Sequence, residues 1–405
     1  MPSVKLTQSK ILIGIIPSLL LERTIGTFTG LMPGIHINLI GALLVSASAS
    51  FLFFMPSLYF VVFITSMAIT HTFVDFIPSV FLGCPDTDTE LSILPGHELL
   101  KEGKGHAAVL LTAYGGLAAI ILTMILAFPL ILLVKKIYPL IQIFIPWILI
   151  FVSLIMIFSE KKKFSSLLVY SLAGILGLIV LNLENLNQPL LPLLTGLFGA
   201  SNLLLSIKTK TQIPEQTLEQ EKTSFKKPLL GALIASPLCG FLPGLGSGQA
   251  AILGNTISKT DRKGFLVLMG ATNTLVMAFS FMSLYAILKT RTGAAAAIKG
   301  LIGIPSEKIL VLILIVVLIS GIISFFLTKK ISVFFSKKIN KINYTKLSIF
   351  TLAVLIAVVF LISGFLGLLA FAISAFTGVY CISLGVRRTQ MMGCLLLPTI
   401  VLYLV

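Results

Sequence analysis

From Ile309 to Leu327 the chain carries no charged side chain and nothing more polar than two serines and a glycine. A run of that length matches the roughly 20 residues an α-helix needs to cross a bilayer core. Comparable runs recur along the whole sequence. With 57% of its 405 residues hydrophobic and a mean hydropathy of +1.07, the chain exceeds what a water-soluble domain carries. Hydrocarbon gives backbone polar groups no partner, so a spanning chain is helical or a closed barrel, and continuous apolar runs select helices. The expected fold is an all-α, polytopic protein of the cell membrane.

Apolar segments lie near 9–31, 36–55, 57–76, 106–134, 139–158, 165–181, 190–206, 229–242, 247–258, 264–288, 309–328, 347–364, 366–384 and 391–404. Several are too short or too broken for simple spans, so roughly ten crossings plus broken or re-entrant hairpins are expected. The first segment follows Lys5 and Lys10 as a signal peptide would. No small-residue cleavage site precedes Glu22 and Arg23, so it reads as a retained helix. One long polar stretch, Lys208 to Lys227, divides the chain into a first membrane half (1–207), a linker (208–227) and a second half (228–405). Its mixed charges and the Ile213-Pro214-Glu215 break predict a flexible connection. Lys161 to Lys163 and the linker are basic, whereas the turn from Asn182 to Gln188 has no Lys or Arg. The positive-inside rule therefore places the linker in the cytoplasm and the Asn-rich turn outside.

The net charge of +16 sits mostly in short clusters between apolar runs, without interleaved aromatics, so no nucleic-acid partner is expected. Cys84, Cys239, Cys381 and Cys394 have no metal or redox spacing.

The two halves share a landmark. Gly30-Leu31-Met32-Pro33-Gly34-Ile35 reappears as Gly240-Phe241-Leu242-Pro243-Gly244-Leu245, and a Lys-Gly pair opens a later helix in each half, at Lys104-Gly105 and Lys263-Gly264. Paired Gly/Pro interruptions at corresponding positions point to a transporter built of two structural repeats, inverted in the commonest arrangement, with a site between them. Proline lacks the helical N–H and glycine tolerates unusual dihedrals, so each Pro-Gly should break its helix inside the membrane. The helices that restart beyond the breaks would present free N–H groups and the positive ends of their dipoles, a place for an anion. The residues expected to bind it are Pro33, Gly34, His36 and Asn38 in the first half, and Pro243, Gly244, Gly246, Ser247 and Gln249 in the second. Asn273 and Thr274, in an otherwise apolar helix, either complete this site or tie helices together.

All four histidines, His36, His71, His97 and His106, fall in the first half, together with a crowd of acids. His71 and Asp75 share a helix face and form a candidate binding pair for a driving proton or sodium ion, with a structural role as the alternative. Asp86 and Asp88 lie in a Pro- and Gly-punctuated segment that suits a re-entrant gate or an ordinary loop. That segment lacks the glycine and glutamate of a calcium loop. No metal site, cofactor or catalytic residue is expected beyond a coupling Na+ or H+. Lys289-Thr290-Arg291-Thr292-Gly293 and Val386-Arg387-Arg388-Thr389 read as loop anchors.

With these residues in hand, the sequence resembles the TctA-type permeases, the large membrane subunit of tripartite tricarboxylate transporters, in a shorter form like that of archaea. The resemblance rests on Gly30 to Gly34, on Phe76 to Gly105 with Leu94-Pro95-Gly96-His97 and Glu102-Gly103-Lys104-Gly105, on Leu191 to Gly199, and on Gly240 to Gly246. It implies an ion-driven secondary carrier of carboxylates whose substrate lies between two Pro-Gly hairpins. It also implies an extracytoplasmic binding protein and a small membrane subunit as partners, and leaves room for self-association. The chain departs from the family pattern at Asn273-Thr274, where relatives usually carry paired Asn, and at Pro85-Asp86, where they carry Pro-Gly.

Two other readings compete. Opposed helix N-termini suit a lipid phosphate as well as a carboxylate, which allows a polyprenyl-phosphate translocase. An intramembrane hydrolase would use His71 and Asp75 or the Asp86/Asp88 pair, but the sequence has no His-Glu-x-x-His helix and no Gly-x-Ser-x-Gly turn. The chain is expected not to be an enzyme.

Overall fold

The computed structural model describes residues 24–31, 56–83, 89, 93–209, 213–241, 246–339 and 343–404. These residues form helices and connections, with no β-strand among them. In chain order the helices are α1 (24–31), α2 (Ser57–Val74), α3 (Phe76–Phe81), α4 (Ile93–Lys101), α5 (Gly105–Phe158), α6 (Lys163–Leu181) and α7 (Leu190–Leu194). A π segment, Thr195–Ala200, leads into α8 (Ser201–Thr209). After the linker come α9 (Lys226–Phe241), α10 (Ser247–Ser258), α11 (Arg262–Ile287), α12 (Gly293–Ile302), α13 (Glu307–Lys338), α14 (Tyr344–Ser383), a 3-10 turn (Arg388–Met392) and α15 (Gly393–Leu404). Among the described residues seven helical segments are long and apolar enough to cross a membrane. The chain is an all-α, multi-pass membrane protein.

Phe128, Leu361, Phe365, Phe376 and Leu402 are all more than 70% exposed. Such a surface belongs against lipid tails, not water. By contrast α2 and α11 are enclosed by protein along almost their whole length. They form the centre of the fold, and polar side chains on them must find partners inside it.

Glycine sets how closely the central helices meet. A Cβ at Gly270 would overlap the Thr112 carbonyl, and one at Gly115 would overlap the Val267 carbonyl, so α5 and α11 cross backbone to backbone. This is the small-residue packing that membrane helices use in place of a hydrophobic driving force.

Two long helices turn back. As a straight rod, α5 would measure about 80 Å at 1.5 Å per residue. Yet its two ends meet one chain of polar contacts: Gly105 N–H donates to Gln216, Gln216 to Leu100 on α4, His97 of α4 to Val80, Asn202 to the nearby Gly83, Arg388 to Asn202, and Arg387 pairs with Glu160 just beyond Phe158. The element therefore doubles back between its two apolar segments, Gly105–Leu140 and Ile143–Phe158. In α14 the break is explicit. Gly364 takes φ 68° and ψ −162°, a conformation closed to side-chain-bearing residues, so two helices meet there as segments 347–364 and 366–384 anticipate.

The linker is not a loose tether, which corrects the expectation from its composition. Thr217 N–H donates to the Gly103 carbonyl at 2.7 Å, Gln216 bridges Gly105 and Leu100, and Phe225 packs edge-on against Tyr114. Glu221 accepts from Lys104 at 2.6 Å and Lys263 at 2.5 Å. The Lys-Gly landmarks of the two halves are thus joined through one linker carboxylate.

Candidate functional site

The central helix α2 ends inside the protein for a local reason. Pro78 has no N–H to offer the Val74 carbonyl, so the hydrogen-bond ladder lapses and the chain kinks at Asp75 before α3 begins. Ser79 partly repairs the break by donating its hydroxyl to the Asp75 carbonyl at 2.9 Å. The kink leaves the Asp75 side chain, buried, against α11. There Asn273 donates to the Asp75 carboxylate at 2.9 Å and to the Thr72 carbonyl at 3.3 Å. Asn273 stands one turn after Gly270, whose close crossing with α5 fixes the position of that turn.

Thr274 points the other way, toward α5. A Cβ on Gly116 would lie 2.9 Å from the Thr274 hydroxyl and 3.0 Å from the Phe73 ring, so Gly116 keeps the space open. The Thr274 hydroxyl is enclosed and has no hydrogen-bond partner.

One turn before Asp75, His71 faces α1. Thr29 donates its hydroxyl proton to the Gly26 carbonyl at 3.1 Å, which leaves the Thr29 oxygen to accept from His71 Nδ1 at 3.2 Å. The ring proton is therefore assigned to Nδ1. Close approach of α1 depends on Gly26 and Gly30: a Cβ on Gly30 would come within 2.8 Å of Val74 Cβ and 3.3 Å of the Asp75 amide nitrogen. Elsewhere α2 and then α3 run parallel to α13, through Ser66 with Ser320 and Thr70 with Ser324 (2.9 Å) on α2 and Phe81 with Phe335 on α3.

A second polar centre lies at the start of α10. Gln249 turns its amide oxygen back to accept the Gly246 N–H at 2.7 Å, capping the first turn from one side. That leaves the Gln249 amide nitrogen fully enclosed and without a partner, in the first turn of the helix. Nearby, Arg291 donates to the Cys239 carbonyl at 3.1 Å and Ser283 to the Gly240 carbonyl at 3.3 Å. Both lie at the end of α9, which packs on α10 where Gly231 and Gly254 face each other.

Of the residues singled out from sequence, Asp75 and Asn273 are brought into contact, and Gly246, Ser247 and Gln249 gather at the start of α10. Pro33, Gly34, His36, Asn38, Asp86, Asp88, Pro243 and Gly244 lie outside the described residues. Among those described, no group of three or more His, Cys, Asp or Glu side chains is placed to hold a metal ion.

Residues 17–393 match the tripartite tricarboxylate transporter TctA family. The chain belongs to that family. A TctA protein of this length also has an uncharacterised relative in Methanocaldococcus jannaschii, 33% identical over 398 residues, covering 95% of this chain and 98% of the relative. No solved structure matches it. TctA proteins are the membrane component of transporters that also use a binding protein and a small subunit.

For this TctA protein, sequence reasoning missed Thr29, the Gly26-x-x-x-Gly30 contact and Arg291. The first two had a signal, small residues four apart next to a helix break. Arg291 had none, because a basic residue after an apolar helix usually marks only an interface.

Proposed function

We propose that this TctA protein is an ion-coupled secondary importer of a small di- or tricarboxylate. The observation that carries the reading is the start of α10, where an enclosed Gln249 amide nitrogen in the first turn of the helix has no hydrogen-bond partner. That donor suits an anion, and the Arg291 guanidinium at the end of α9 adds positive charge. In this reading α9 and α10 are the arms of a hairpin closed by Pro243 and Gly244, with Ser247 and Gln249 contacting the substrate. Pro33, Gly34, His36 and Asn38 supply the opposing arm in the first repeat. Asp75, held by Asn273, and His71 bind the coupling Na+ or H+, with Asp86 and Asp88 on the path to them. The two repeats rock against each other about this fixed site. An extracytoplasmic binding protein and a small membrane subunit are the expected partners.

A second cargo, a lipid phosphate, is favoured by one observation. Leu230 and Ile234 on α9 and Ile257 on α10 are exposed, so the proposed hairpin borders lipid. Uptake of radiolabelled citrate into proteoliposomes, under imposed sodium and proton gradients, separates the readings. Gradient-dependent citrate uptake, abolished by Gly34→Leu or Gly244→Leu with insertion intact, supports the carboxylate carrier. Uptake near wild type in either variant sinks the two-hairpin site, and translocation of a polyprenyl phosphate without citrate uptake favours the lipid cargo.

A further inference from the structure

Arg387 and Arg388 are neighbours that turn in opposite directions. Arg387 is half exposed and fully engaged: it pairs with Glu160 and donates to the Ser159 carbonyl at 3.0 Å and hydroxyl at 2.8 Å. Arg388 turns inward. Its Nη2 donates to Asn202 Oδ1 at 2.8 Å, and its Nη1 is enclosed with no hydrogen-bond partner.

The described groups around it are polar and carry no negative charge. Asn202, buried on α8, donates from its own amide nitrogen to the Gly83 carbonyl. Gly83 takes φ +63°, and a Cβ there would lie 2.6 Å from Asn202 Nδ2 and up against His97 Nε2, so the three residues converge on one corner. His97 donates from Nδ1 to the Val80 carbonyl at 2.9 Å, which leaves Nε2 without a proton. Burial, with help from Lys101 and Arg388, holds the ring's pKa down to about 4. The imidazole is therefore neutral and does not compete with the guanidinium. Among the described residues no carboxylate pairs with Arg388.

A guanidinium taken out of water is tolerated when its donors are met, and its planar fork fits two coplanar oxygens. We propose that Arg388, braced by Asn202 where the end of the second half meets the first, is the anchor of a carboxylate-binding site. The site draws on elements other than α9 and α10, and Lys162 reaches the start of the same turn, donating to the Leu384 carbonyl at 3.2 Å. That its ligand is the transported carboxylate rests on the function proposed above; that an anion binds at Arg388 does not.

The test is titration of the purified full-length protein, in nanodiscs of phosphatidylcholine, with citrate and separately with inorganic phosphate at fixed ionic strength. Citrate should bind and raise the melting temperature, and Arg388→Gln should weaken that binding at least tenfold. Arg388→Lys keeps the charge but loses the fork, so it should bind several-fold more weakly than wild type. Asn202→Ala should show an intermediate loss. Citrate affinity unchanged in Arg388→Gln overturns the proposal. If that variant does not fold, wild-type affinity in Arg388→Lys overturns it instead. Arg388-dependent phosphate binding without citrate binding overturns the carboxylate assignment. These titrations are independent of the Gly244→Leu uptake assay, so failure of the hairpin site and failure of the Arg388 site are read separately.

Discussion

Asn273 donates to the Asp75 carboxylate across 2.9 Å, although one residue belongs to each half of the sequence. The bond crosses between the two most enclosed helices, α2 and α11. Movement of one half against the other must keep this bond or break it. Removing the donor with Asn273→Ala strips a buried carboxylate of a partner, at about 1–3 kcal/mol. The double variant Asp75→Asn with Asn273→Asp restores an amide–carboxylate pair on the opposite helices. It should recover most of the melting temperature but not gradient-driven uptake, because the carboxylate has moved. Recovery of both would make the pair purely structural.

The approach of α1 to α2 gives a second prediction. A leucine at Gly30 would drive into Val74 and the Asp75 backbone, costing about 1–3 kcal/mol through overpacking. Phe28→Leu, on the exposed side of the same helix, should change stability by less than about 0.5 kcal/mol. Thermal unfolding of the two variants in detergent compares them, and equal losses would remove α1 from the site.

The linker clamp titrates. Hydrogen bonds from Lys104 and then Lys263 hold the Glu221 pKa at about 2, below the 4.5 of a free glutamate. A depressed carboxylate stabilises fully above 4.5, and its contribution fades as pH falls through about 2. At neutral pH Glu221→Gln should loosen the linker. Limited proteolysis should cut between Glu215 and Lys226 faster in that variant than in wild type, and high salt should narrow the difference.

His97 gives a window at milder pH. Its ring takes a proton at about 4 in the folded protein and at 6.5 when free, chiefly because it is buried. Between those values the unfolded chain binds the proton that the folded one refuses, so stability is full above 6.5 and declines as pH drops toward 4. Melting curves over this range should flatten in His97→Gln. An unchanged slope would show that other groups set it.

The membrane class was legible because hydrophobicity accumulates over whole segments, and the break at Gly364 was legible in the division between segments 347–364 and 366–384. Asp75 and Asn273 each stood out as a polar residue in an apolar run. Their contact did not, since nothing in a single sequence measures distance between helices. The linker misled because composition reports charge and not the backbone bonds that Gly103 and Thr217 exchange. Arg387 and Arg388 look alike in sequence. Only the fold separates the one that anchors a loop from the one turned toward Asn202.

The docked linker also bears on how the chain is made. Leu100, Gly103, Lys104 and Gly105, the groups that hold Gln216, Thr217 and Glu221, all precede them in the sequence. By the time residue 221 leaves the ribosome, the first half already offers every partner but Lys263. The strap can settle during synthesis, and the start of α11 then arrives at a carboxylate already in place.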